Sequence, residues 1–320
     1  MKQSILFGNG VNLLTDGMPS WNDLIESISK IEIEGNIPNP IKYEAILLHD
    51  YKNSNWGMSN TNISKESSII ESTKKMQEWQ LKEVIAKELG LFVSNDIIRK
   101  ISKMPFNHFM TTNYDKALYN EFDKRYIEPE NISEKYYSIR RSYKIKNSEV
   151  DSLYRYYWPI HGFIDNPPCI MLGYDHYCGS LGKINTYIKG NYEYEDTSLP
   201  SIADRLKDES YKVYSWIDLF FTTDIHIIGL GLDYEEIDLW WILNRRKRIM
   251  SDLPKEVKNK IYYYQTSLKD KEKELIFKIF DVEFVPLKDE SLLFKEDNYP
   301  LRYNMQLEEI KNRMDERKNK

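Results

Sequence analysis

At 320 residues, 41% of them hydrophobic and 30% charged, the chain has material for one large globular domain or two modest ones, and not the composition of a disordered protein. Its 45 Lys and Arg against 50 Asp and Glu leave a formal net charge of -5, which argues against sequence-independent nucleic-acid binding, whose affinity comes from neutralised phosphates. The two cysteines, Cys169 and Cys178, make neither a disulfide framework nor a zinc knuckle, and no apolar run suits a signal peptide or a membrane span, so a reduced, cytoplasmic protein is expected.

In chain order, a short strand at residues 5–7 runs into the tight loop Gly8-Asn9-Gly10. A helix follows, with Ser20 as N-cap, Asp23 at its third position and Leu24, Ile25, Ile28 and Ile31 on one face. From about 36 to 105 the spacing is mostly helical, in PIKYEAILLHDY, ESSIIESTKKMQEWQLKEVIAKEL and NDIIRKISKM, with the polar NSNWGMSNTNISK as a loop. Pro105 leads into the strand FNHFMTT, and a helix is expected over DKALYNEF. Residues from about 125 to 157 have weak periodicity and read as an irregular insert. YRYYWPIHG is a second core strand, and the stretch from CIMLGYDHY to about 198 reads as loop and short strand. Helices near 199–209 and 212–221 precede the strand IHIIGLGLD, the helix EEIDLWWILNRRKRI, the strand KNKIYYYQTS, the helix KDKEKELIFKIF and the strand VEFVPL. The alternation predicts a parallel sheet covered on both faces, in a body spanning 1–290, with a charged helical tail over 291–320.

Three stretches, FGNGVN, FMTTNYD and IIGLGLDYEE, pass from an apolar strand through small or polar residues into a helix. In a doubly wound sheet such strand ends converge on one crevice. Gly8 and Gly10 permit close backbone approach and positive φ, leaving amides for an anion such as a pyrophosphate. The third glycine of the dinucleotide fingerprint is missing and no Walker lysine follows, so an ordinary βα turn is an equal alternative. Gly229 and Gly231 repeat the theme, with Asp233 as either a helix cap or an acceptor for a ribose hydroxyl. Asp115 reads as an N-cap or an orienting carboxylate. His161, at a strand end beside Gly162, has a side chain suited to proton transfer near neutrality, or is a buried histidine satisfied by the backbone. His108 and His226 lie inside strands and read as structural. No pair of histidines has zincin spacing, so no metal is expected, and the basic run at 245–248 reads as a solvated helix end.

Together these motifs resemble the sirtuin-like (silent information regulator) superfamily, in its branch of bacterial NAD hydrolases rather than its deacylase branch. FGNGVN with GMPSW resembles the family's glycine loop and its continuation, matching Gly8, Gly10, Asn12, Gly17, Pro19 and Trp21. FMTTNYD resembles the T-T-N-Y-D segment, IHG the His-Gly of the catalytic strand, LGYDHY the loop after it, and IIGLGLDYEEIDLWW the late glycine loop. Asn12 departs from the pattern, since relatives often carry a small hydroxyl residue there. The resemblance implies a Rossmann-like, doubly wound parallel sheet with a helical insert module over about 36–105. The two CxxC pairs of a zinc ribbon are missing. It further implies NAD as substrate, with Asn113 and His161 catalytic and Gly8, Gly10, Asn12, Pro19, Trp21, Thr112, Asp115, Gly229, Gly231 and Asp233 holding the dinucleotide. Asn113 would bind a ribose hydroxyl or the attacking water, and His161 would take its proton. The implied role is an effector of antiphage defence that depletes NAD in abortive infection, controlled by homo-oligomerisation or by a separate sensor or regulatory protein. A protein deacylase or ADP-ribosyltransferase using the same pocket is one alternative; a non-catalytic nucleotide-sensing subunit is another.

Overall fold

The computed structural model describes residues 2–29, 33, 35, 37–54, 78–134, 136–146, 153–194, 197–208, 211–251, 258–294 and 298–318. At its centre is β1 (Lys2–Phe7), buried from Gln3 onward. It pairs in parallel with β2 (His108–Thr111) on one side and with β8 (Thr223–Ile228) on the other. Beyond β2 lies β5 (Arg155–Pro159); beyond β8 lie β9 (Ile261–Tyr264) and β10 (Val282–Val285), all parallel. The chain thus builds outward from β1 through β2 to β5, then returns and builds the other way, so the order of strands reverses between β1 and β8.

Two further strands, β3 (Ile127–Glu130) and β4 (Ser142–Ile145), add to β5 in antiparallel fashion and complete an eight-stranded sheet. This corrects the reading of about 125–157 as irregular. The edge strand IEPE is partly exposed and carries Pro129, tolerated at an edge where no inner ladder needs its amide. The architecture is mixed α/β with a mostly parallel sheet, compatible with a Rossmann-like fold. A small hairpin, β6 (Glu193–Tyr194) with β7 (Thr197–Ser198), stands apart from the sheet.

Side-chain alternation divides the core. Leu6, Met110, Trp158, Ile225, Ile227 and Tyr263 face one layer, containing α6 (Tyr174–Lys189), α7 (Ile202–Arg205), α8 (Trp216–Thr222), α9 (Ile237–Ser251) and α10 (Glu274–Ile279). Ile5, Phe7, Phe109, Tyr157 and Tyr264 face the other, formed by α5 (Asp96–Lys103) and α11 (Tyr299–Lys318). The expected C-terminal tail is therefore a helix with Tyr303, Leu307, Ile310 and Met314 in the core. A third cluster joins α2 (Trp21–Ser27), α3 (Asn39–Ser54) and α4 (residues 78–89) over Tyr114, Ile164, Ile170 and Leu172. Here the expected capping box is formed: Ser20 Oγ accepts from the Asp23 amide, and Asp23 accepts from the Ser20 amide. Ile31 and most of the expected polar loop, at 55–65, lie outside the described residues.

Three expectations change. Residues 174–189, read as loop and short strand, form the sixteen-residue α6, where Gly179 and the aromatics conceal a buried stripe of His176, Tyr177, Ser180, Ile184 and Tyr187. DKALYNEF is no α-helix but a turn followed by one 3₁₀ turn, Tyr119–Glu121. In the basic run, Arg246 is buried and donates to the Asn259 carbonyl at 2.6 Å; burial lowers its pKa to about 10.

Candidate active site at the strand reversal

The glycine loops after β1 and β8 meet where the strand order reverses. After β1 the chain enters one helical turn, α1 (Asn9–Asn12), with Gly8 at its N-cap. Gly8 and Gly10 do not have positive φ, and their amides are not free: Gly8 N donates to Ile228 O at 3.3 Å and Gly10 N to Gly229 O at 2.9 Å. This corrects the expectation of amides left for an anion. Glycine is needed for close approach, because a Cβ on Gly10 would lie 2.8 Å from both Gly229 O and the Tyr303 hydroxyl. Gly229 does have positive φ, at 57°.

Above this junction is a cavity of about 230 Å³, lined by Gly10, Pro19, Trp21, Thr112, Asn113, Asp115, His161, Gly229, Gly231 and Asp233 among others. Ten of the twelve expected site residues therefore meet here, while Gly8 and Asn12 lie outside the lining. A second cavity of about 600 Å³ shares Gly10, Gly229 and Gly231 with the first and is lined also by Thr266, Ser267, Asp270 and Tyr299.

The polar residues ending β2 have separate duties. Thr111 Oγ1 donates to Phe7 O at 3.0 Å and accepts from the Asn113 amide at 3.0 Å, fixing the turn. That leaves the Asn113 side chain free: it is 8% exposed, and its Nδ2 has no hydrogen-bond partner among the described residues. Tyr114 donates to Met171 O at 2.5 Å and packs on Trp21. Asp115 accepts from the Ala117 amide at 2.7 Å and from Asn12 Nδ2, so it closes the turn, and Asn12 supports it from below. Asp233 is four residues before α9; its carboxylate is mostly exposed and 3.1 Å from Lys273 Nζ.

His161 is 2% exposed, with Nε2 2.9 Å from Asp238 Oδ2 and Nδ1 3.6 Å from Glu236 Oε2. The edge-to-face ring of Tyr177 is 5.7 Å away. Burial would lower the pKa of this imidazole, but the Asp238 and Glu236 carboxylates outweigh it and push the pKa up to about 9. Near neutral pH the ring is thus an imidazolium, unable to accept a further proton. Burial raises Glu236, which His161 only partly offsets, and its carboxyl sits at about 7. Of the two, Glu236 is the better proton acceptor. His226 and His108 are buried within the sheet, and burial depresses both to about 3. His226 contacts the Tyr264 hydroxyl and Gln3; His108 accepts from Trp158.

No family model matches the chain, and no curated protein matches it. The chemistry of the site has to carry its interpretation. His161, Glu236 and Asp238 are a donor set that a divalent cation could accept, with ligand atoms within 4.8 Å of one another. The 2.9 Å between His161 Nε2 and Asp238 Oδ2 is a hydrogen-bond distance, the contact the two groups make with a proton between them. Glu236, Asp238 and Tyr177 were not among the expected site residues. The legible signal was Asp238 itself, a carboxylate set among the apolar residues of the helix IDLWWIL and completely buried.

Proposed function

We propose that the protein is a NAD hydrolase of sirtuin-like type, on a Rossmann-like doubly wound sheet, that releases nicotinamide and ADP-ribose. The observation that carries this reading is the meeting, at the strand reversal, of an unpartnered Asn113 amide with the His161–Glu236–Asp238 set. Such a reversal is where open α/β sheets bind nucleotides. The two cavities that share the glycine loops would take the two halves of a dinucleotide, with the nicotinamide riboside beside Asn113 and His161 and the adenosine toward Ser267 and Tyr299.

Cleavage of the nicotinamide–ribose bond needs no strong acid, since the leaving group is already cationic. The glycosidic electron pair departs with nicotinamide, and positive charge develops on the ribose. Asp238 and Glu236 supply negative potential to stabilise it. Asn113 orients water or a ribose hydroxyl; water adds to the anomeric carbon, and its proton passes to Glu236. The imidazolium of His161 holds Glu236 and Asp238 in place. None of these steps calls for a metal. The physiological role proposed is NAD depletion as an antiphage effector, kept silent by assembly or by a partner.

The test is nicotinamide release from NAD, resolved by chromatography, with and without candidate partner proteins. His161→Ala and Asn113→Ala should each lower the rate roughly 10²-fold or more. Asn113→Ala should leave the melting temperature unchanged, because its side-chain amide holds no structural partner. Unchanged rates in both variants would overturn the assignment, and release that requires an acylated peptide would favour a deacylase.

A further inference from the structure

A third cavity, of about 810 Å³, opens where α3, α4 and the start of α6 meet, and shares no residue with the first two. Its walls are aromatic: Trp79 and Tyr136 are 49% and 57% exposed. Its floor is a buried cluster. Lys82 Nζ lies 3.0 Å from Glu78 Oε1 and 2.9 Å from His176 Nε2, and Glu78 contacts His176 directly. His176 Nδ1 accepts backbone N–H groups from Leu172 and Gly173, both at 2.9 Å, so the ring cannot gain a second proton without losing them. With a neutral His176, the carboxylates of Glu44, Glu78 and Asp175 face one ammonium, and the cavity carries negative charge. Tyr43, which also lines it, is 1% exposed, and its hydroxyl has no hydrogen-bond partner among the described residues.

An anion would be repelled here. A quaternary ammonium could stack on the rings but has no N–H to offer the carboxylates or the unpartnered Tyr43 hydroxyl. A guanidinium meets both demands, since it stacks flat on an aromatic face and directs five N–H donors outward in its plane. We propose that this cavity is a second ligand site, built for a guanidinium group, and that α6 transmits its occupancy to His161. The path is short. The segment 171–173 gives its amides at 172 and 173 to His176, while Met171 N donates to His161 O at 2.9 Å and Met171 O accepts from Tyr114. The next residue of α6 after His176 is Tyr177, whose ring stands against His161. A guanidinium on Glu78 competes with Lys82 and His176 for the same carboxylate, and so bears on that segment. Neither half of the proposal depends on the hydrolase reading.

Calorimetry with the intact protein tests the site, using N-acetyl-arginine amide as the side chain of a polypeptide and agmatine as a free small molecule. The neutral isostere N-acetyl-citrulline amide is the control. At least one guanidinium probe should bind saturably, and the preferred one identifies the source. Binding should weaken about tenfold in Trp79→Ala, whose exposed ring can be removed without disturbing the core. Glu78→Gln should abolish it, and the Trp79 variant keeps the test valid if Glu78→Gln fails to fold. No binding of either probe up to about 10 mM, equal binding of the citrulline isostere, or unaltered binding to Trp79→Ala would each overturn the site. Ring resonances of His161, followed by NMR in the absence of NAD, should move on saturation; unmoved resonances would overturn the coupling to α6.

Discussion

Replacing Asp238 by Asn removes one charge from a completely buried contact while keeping the shape of the side chain. Together with Glu236, the existing carboxylate raises the His161 ring from 6.5 to about 9 against the opposing effect of burial. That rise corresponds to about 3 kcal/mol of preference for the charged ring. In Asp238→Asn, burial is opposed by Glu236 alone, and the ring should titrate at 6.5 or below. The sign for stability follows from linkage: a histidine with a raised pKa stabilises the fold fully below pH 6.5, and this contribution fades as pH rises through about 9. The variant should therefore lose about 3 kcal/mol relative to wild type in urea unfolding at pH 6, and much less at pH 10. NMR titration of the ring provides the independent measurement. A wild-type ring that titrates at or below 6.5, or a variant ring still near 9, would refute the electrostatic argument.

Gly10→Ala should be destabilised by about 1–3 kcal/mol and should lose the thermal shift produced by NAD, because its Cβ meets the Gly229 carbonyl and the Tyr303 hydroxyl. Wild-type stability in that variant would mean that the loops are not in contact. Dialysis against a chelator should leave nicotinamide release intact, since the 2.9 Å contact between His161 and Asp238 is read as a hydrogen bond rather than a shared ion; loss of activity restored by one divalent metal would reverse that conclusion.

The strands around the site were legible because they are short apolar runs buried on both faces, such as ILF, HFMT and TDIHII, each ended by glycine or a hydroxyl residue. Convergence of FGNGVN, FMTTNYD and IIGLGLD on one crevice was also legible, since parallel strands place their carboxyl ends together. α6 was not. Its Gly179 lowers local helix propensity, yet the Tyr137 ring occupies the space a Cβ would fill, so tertiary packing decides. The roles of Gly8 and Gly10 were half legible, because sequence gives the absence of a side chain but not what approaches in its place. The charge set around His161 depends on its distances to Asp238 and Glu236, which no spacing in the chain encodes.

The placement of α11 ties residues 299–318 to β1 and the glycine loops. Tyr303 stands against Gly10 and Gly229, and Ile310 and Met314 cover the face of β1 that carries Ile5 and Phe7. The glycine junction beneath the crevice is thus packed by residues far apart in the sequence, Gly10, Gly229 and Tyr303. A chain still emerging from the ribosome, or cut short of residue 299, holds every motif that suggested the site and still has an unfinished glycine junction.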